Sequence, residues 1–167
     1  MGRRDFTMAL CLCRLGLRAY EVASLRLEDV DAKAQTLHLR ETKSRRGRLL
    51  PLPPDVAQAI ESYLQAGRPP TDSRTLFVRH RPPWCEGQGS ELVRSAMRSA
   101  FDRCGLGHKG VHILRHTLAT RLHRRGVSLK IIADLLGHLS LDTTAGYARV
   151  NLDELRQAAL PWPGGWR

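Results

Sequence analysis

No apolar run in this chain approaches the ~20 residues that a membrane span needs, and its Met-Gly-Arg-Arg start leads into no apolar signal-peptide core. The expectation is a cytoplasmic protein with no membrane partner. Cysteine is scarce too: Cys11, Cys13, Cys85 and Cys104 are scattered, and the single C-x-C pair falls in an apolar stretch of helical pattern. That usage suits reduced thiols and argues against a disulfide scaffold or a zinc knuckle. His112 and His116 are spaced as a metal pair on one helix face would be, but no carboxylate or third ligand lies at a telling distance. No metal and no cofactor is expected.

Acidic residues are the other shortage. Only 16 Asp and Glu face 27 Lys and Arg, a net charge of +11, and the arginines cluster. A balance of this kind predicts a polyanion partner whose binding weakens as salt rises; the plainer alternative is a solubilising positive surface. With 167 residues, 42% of them hydrophobic, the chain suits one domain with a real core and carries no internal repeat.

Hydrophobic spacing predicts the elements. Residues 5 to 27 read as helix, with Met8, Leu12, Leu15, Val22 and Leu25 among the apolar positions, interrupted by Gly16. A glycine there suits a left-handed cap, which puts Arg18 at a junction between two helices. Residues 35 to 52 alternate, break at the basic turn Lys43-Ser44-Arg45-Arg46-Gly47, and resume, as a hairpin does. Pro53-Pro54-Asp55 opens a helix that buries Val56, Ala59, Ile60 and Leu64 and ends near Gly67. Leu76-Phe77-Val78 suits a short strand, residues 79 to 90 a loop, and residues 90 to 104 a helix. A helix from about Leu114 to Arg124 buries Leu114, Leu118 and Leu122; Ser128 caps another, burying Leu129, Ile132, Ala133 and Leu136 and closed by Gly137. His138 follows that terminus, Tyr147 sits beside Gly146, and Asn151 caps a last helix to about Leu160.

Breaking a phosphodiester without a metal requires three things: charge neutralisation, an in-line nucleophile and a proton for the departing oxygen. Arginine suits the first, with a permanent charge and a planar fork of donors. A tyrosine hydroxyl serves as nucleophile if a neighbour helps to remove its proton, and lysine or histidine serves as general acid. Taken singly, Arg18 reads as a surface cation, Tyr147 as a packing residue and Lys43 as a solvated or phosphate-contacting charge.

Their order is more informative. Gly16-Leu17-Arg18 with Glu21, a basic hairpin with Lys43, then His112-x-x-Arg115-His116-Thr117, Leu136-Gly137-His138 and Tyr147 nine residues later resembles the tyrosine recombinase (phage integrase) family from about Asp5 to Leu160. The resemblance implies an α+β, mainly α fold: a helical catalytic domain with a small antiparallel β-sheet. Carried over, it makes Arg18 and Arg115 the clamp on the scissile phosphate and Lys43 the acid for the leaving 5′-hydroxyl. His112 would assist proton transfer at Tyr147, and His138 would bond a nonbridging oxygen. Tyr147 would attack to give a 3′-phosphotyrosyl link, with neither ATP nor metal required. Glu21 and His116 would support the site. Arg45, Arg46, Arg48, Arg79, Arg81, Arg121, Arg124 and Arg125 are expected to contact DNA.

Residues 1–160 would form this catalytic domain and 161–167 a flexible tail, without the family's N-terminal DNA-clamping domain. Arg149 stands where the family often has histidine, and Gly146 is an unusual neighbour for the nucleophile. The implied activity is site-specific recombination on double-stranded DNA by a homo-oligomer in the nucleoid. Two alternatives remain at this point, a type IB topoisomerase-like nicking and resealing enzyme and a noncatalytic DNA-binding remnant.

Overall fold

The computed structural model describes residues 2–40, 47–82, 89–107 and 110–137. The chain opens with α1 (Arg3–Arg14) and α2 (Ala19–Ser24), followed by a single 3-10 turn, Leu27–Asp29. Three short strands come next, β1 (Val30–Asp31), β2 (Thr36–Leu39) and β3 (Arg48–Pro51). The remaining described helices are α3 (Pro54–Ala66), α4 (Ser90–Arg103), α5 (His112–Arg124) and α6 (Leu129–Leu136). The α+β, mainly α class expected above is what forms.

The predicted interruption of the first helix falls where Gly16 takes the left-handed φ of 63°. The predicted hairpin is β2 paired antiparallel with β3, Thr36 opposite Pro51 and Leu39 opposite Arg48. Spacing missed β1, which pairs Val30 with Leu37 and Asp31 with Thr36. Two residues are too few to display an alternation.

α1 lies against α3, α4 and α5, and α2 against α4, so α1 runs through the centre. Its Met8, Cys11 and Leu12 are buried. So is Thr7, a polar residue whose hydroxyl lies 2.8 Å from Arg3 O and 3.0 Å from Ala59 O. The second contact fixes the height at which α1 meets α3, because a buried hydroxyl without a partner is costly. On α3 the inward stripe is Val56, Ala59, Ile60 and Tyr63, whereas Leu64, expected inside, is exposed. The i, i+3, i+4, i+7 stripe ends on the tyrosine, which stacks on Phe77 with ring centroids 5.6 Å apart.

Leu76, Phe77 and Val78 are fully buried but form no strand. A short antiparallel bridge of Arg26 with Thr75 joins the segment to residues 25–27, with Leu76 N–H donating to Leu25 O at 2.7 Å and Leu27 N–H to Arg74 O at 3.0 Å. Arg68 donates to the carbonyls of Ser73 (2.6 Å), Thr75 (2.9 Å) and Leu76 (3.2 Å). The apolar triplet marked burial; the backbone pairing stops at a single bridge, and a guanidinium takes carbonyls that a longer strand would have paired. On α6 the buried residues are Ile132, Leu135 and Leu136, while Leu129 is exposed. Leu129 shares their face but falls in the first helical turn, past the edge of the core.

Among the described residues Cys11, Cys13 and Cys104 are free thiols. Burial pushes the Cys11 thiol up to about 12 and the Cys13 thiol up to about 11. No helix among the described residues is long and apolar enough to cross a membrane.

Gly16 is the tightest position in this packing. A Cβ there would lie 2.5 Å from Leu136 Cδ2 and 3.0 Å from Leu118 Cδ2, on a backbone conformation that disfavours side chains. Gly16→Ala is therefore expected to destabilise the domain by roughly 1–3 kcal/mol, measured as a drop in the urea midpoint at unchanged m-value.

Candidate active site

The site forms where the end of α6 meets the junction between α1 and α2. Leucine burial brings these segments together: Leu15, Leu17, Leu118 and Leu136 all belong to the one core. Gly137 closes α6 in the left-handed conformation, with φ 60° and ψ 52°, and leaves the last helical carbonyls facing the junction. Orphan carbonyls at a helix end attract cations, both as hydrogen-bond donors and as charges at the negative end of the helix dipole.

Two arginines answer them. Arg115, on α5 and only 7% exposed, donates through Nη1 to Gly16 O and through Nη2 to Leu136 O. Arg18, which precedes α2, donates through Nη2 to Gly137 O at 3.0 Å. Residues widely separated in the chain thus converge on one helix end. The backbone of the α1–α2 junction and that of α6 are tied together by a single guanidinium.

Glu21 organises the other side. Its carboxylate accepts the Arg18 backbone N–H at 2.7 Å and Arg18 Nη1 at 3.2 Å. It also accepts Arg48 Nη2 at 3.2 and 3.1 Å, and the Tyr20 hydroxyl lies 3.4 Å away. The first contact is half of a helix capping box, fixing the start of α2 and with it the direction of Arg18. Two guanidiniums, those of Arg18 and Arg48, meet one carboxylate here, and Arg115 bonds the adjoining carbonyls, an excess of positive charge at a part-buried cleft, where a phosphodiester would be held strongly.

The structure thus brings together Arg18, Arg115 and Glu21. His112 and His116 lie on exposed positions of α5. Lys43, Arg45, Arg46, His138 and Tyr147 lie outside the described residues. Of the expected DNA contacts, Arg81, Arg124 and Arg125 are exposed, and Arg79 and Arg121 are half-buried.

Arg48 departs from that expectation: its side chain turns inward, 13% exposed, onto Glu21. Grouping it with the basic turn hid this. The strand period carried the signal, because β3 buries Leu50 and exposes Leu49, and Arg48 shares the face of Leu50. Gly137 is a helix stop, as its position in the sequence implies, and its carbonyl also holds Arg18.

A mainly helical domain with a small antiparallel sheet and two arginines meeting at one helix end is the architecture of a tyrosine recombinase catalytic domain. The phage integrase family matches residues 2–154, and this chain belongs to it. It is 44% identical over 166 residues to the integrase/recombinase homologue y4rA of Sinorhizobium fredii, covering 98% of this chain and 40% of that protein. It is 42% identical over 164 residues to the homologue y4gC of the same organism, covering 98% of this chain and 85% of that protein. The crystal structure of XerA recombinase matches with a TM-score of 0.74 at 24% identity, over 96% of this chain and 53% of that one. The chain therefore spans well under half of one relative and most of another.

Glu21 is the joint on which two arginines depend. Glu21→Ala would leave two guanidiniums facing each other with little water, and is expected to cost roughly 3 kcal/mol of stability in urea unfolding. Glu21→Gln, which keeps the shape and one acceptor, is expected to cost about 1 kcal/mol.

Proposed function

We propose that this chain is the catalytic part of a site-specific DNA recombinase, cutting and rejoining strands through a 3′-phosphotyrosyl intermediate on Tyr147. The convergence of Arg18 and Arg115 on the α6 terminus carries the reading, since both belong to the set that resembles the family's phosphate clamp. Family membership and the net charge of +11 support DNA as the partner. Held by fixed carbonyls and a carboxylate, the two guanidiniums lose little freedom on meeting a phosphate. Such preorganised charge stabilises the pentacoordinate transition state most.

In this reading Tyr147 is the nucleophile, and Lys43 protonates the leaving 5′-oxygen. His112 and His138 move a proton and bond a phosphate oxygen. The tyrosyl ester conserves the energy of the broken bond, so the reaction draws on neither ATP nor a metal. Exchange between two duplexes then calls for at least two copies of the chain on paired sites. Arg45, Arg46, Arg79, Arg81, Arg121, Arg124 and Arg125 contribute backbone contacts that set affinity.

The test uses a duplex selected from a random-sequence pool for binding to this chain, nicked so that the cleaved end diffuses away. The protein is expected to form a covalent DNA adduct, in chelator and without ATP, and Tyr147→Phe to form none. Transfer of the trapped strand to a second duplex identifies a recombinase; relaxation of supercoils without transfer identifies a topoisomerase. A duplex that shifts on a gel but is never trapped contradicts the enzymatic reading.

A further inference from the structure

We infer that Arg48 is a positioning residue for strand cleavage, acting on the phosphate clamp from behind rather than contacting DNA. The inference rests on the recombinase reading above. It begins from β3, whose period turns Arg48 toward the core, on the face of the buried Leu50. A cation on the inward face of a strand needs a carboxylate, and Glu21 provides one.

Arg48 touches both points to which Arg18 is tied. Its Nη2 reaches both oxygens of Glu21, at 3.2 and 3.1 Å, and Glu21 holds the Arg18 backbone and Nη1. Its Nη1 lies against Gly137, in the space that a Cβ there would fill, and the Gly137 carbonyl holds Arg18 Nη2. Arg48 thus packs between the two anchors and fixes the distance between them. Only glycine, with no Cβ and with easy access to φ near 60°, admits the guanidinium at that place.

Two physical consequences follow. The Glu21 carboxylate is filled by several donors and cannot rotate, so Arg18 is held to one direction. Arg48 also offsets the negative charge of Glu21, which would otherwise compensate the positive charge that Arg18 offers to phosphate. Both effects act on the transition state more than on DNA affinity, because the outward arginines supply most of the backbone contacts. A lysine at this position keeps the charge but lacks the planar fork that spans a carboxylate.

The experiment compares wild type, R48Q and R48K on the selected nicked duplex, reading DNA affinity and the single-turnover rate of adduct formation at saturating protein. R48Q is expected to bind within about twofold of wild type but to form adduct at least about tenfold more slowly, with R48K intermediate. In an E21Q background, R48Q is expected to add little further loss, since both act through one carboxylate. Thermal unfolding of each variant selects those that fold; if R48Q does not, R48K carries the same comparison. Weakened binding with an unchanged saturating rate makes Arg48 a DNA contact and overturns the inference, as does a rate loss fully additive with E21Q. Wild type that forms no adduct overturns the function itself. Wild type and variant trapping DNA at equal rates overturns only the role of Arg48.

Discussion

The Arg115 guanidinium, buried between the carbonyls of Gly16 and Leu136, is the interaction on which the site depends. Burying a cation costs several kcal/mol unless its donors are met. Here they are met by the carbonyl of a left-handed turn and by the negative end of α6. In return, one side chain joins three segments that share little sequence proximity: the α1–α2 junction, α5 and the end of α6. Gly16 lets the first approach closely, and Gly137 ends the last where its carbonyls are presented. The leucines around them supply the apolar burial that brings the segments within reach.

The arginines of this chain fall into distinct physical groups. Some close the fold: Arg68 satisfies the buried carbonyls around Leu76, Arg14 pairs with Asp55 at 2.7 Å, and Arg40 pairs with Asp29 at 2.6 Å. Others, such as Arg124 and Arg125 at the end of α5, remain exposed and contribute to the positive field of the surface. A third group, Arg18, Arg48 and Arg115, gathers around Glu21 and the end of α6. The charge excess of the whole sequence therefore understates the local organisation. What matters at the site is that fixed acceptors hold these three cations close together.

Most of the helical frame was legible from spacing, because helix caps and stops are local chemistry. Ser128 accepts the Ile131 N–H, Gly137 closes α6 and Pro54 opens α3, each as composition implied. The errors occur where tertiary partners decide. Leu64 and Leu129 read as core from their spacing, yet Tyr63 holds the inward position on α3 and Leu129 falls in the exposed first turn of α6. Leu76 to Val78 read as strand because burial and strand share an apolar signature, whereas the pairing with residues 25–27 is a single bridge and Arg68 takes the nearby carbonyls. At the site, Arg18, Arg115 and Glu21 were found through order and spacing. The inward side chain of Arg48 is not legible from charge, which does not reveal which face of a strand a residue occupies. Its partner, Glu21, lies on another element, and that pairing exists only in three dimensions.

If the carbonyl-held arginines exist to neutralise a phosphate, removing the charge from that phosphate should remove the need for them. The direct measurement is the adduct-forming rate of Arg18→Ala on two versions of one nicked duplex, one with a natural scissile phosphate and one with a neutral methylphosphonate. A large loss on the phosphate and substantial recovery on the methylphosphonate are expected. An Arg18→Ala variant that folds, binds DNA and stays equally impaired on both would contradict it, and would leave Arg18 with a structural role alone.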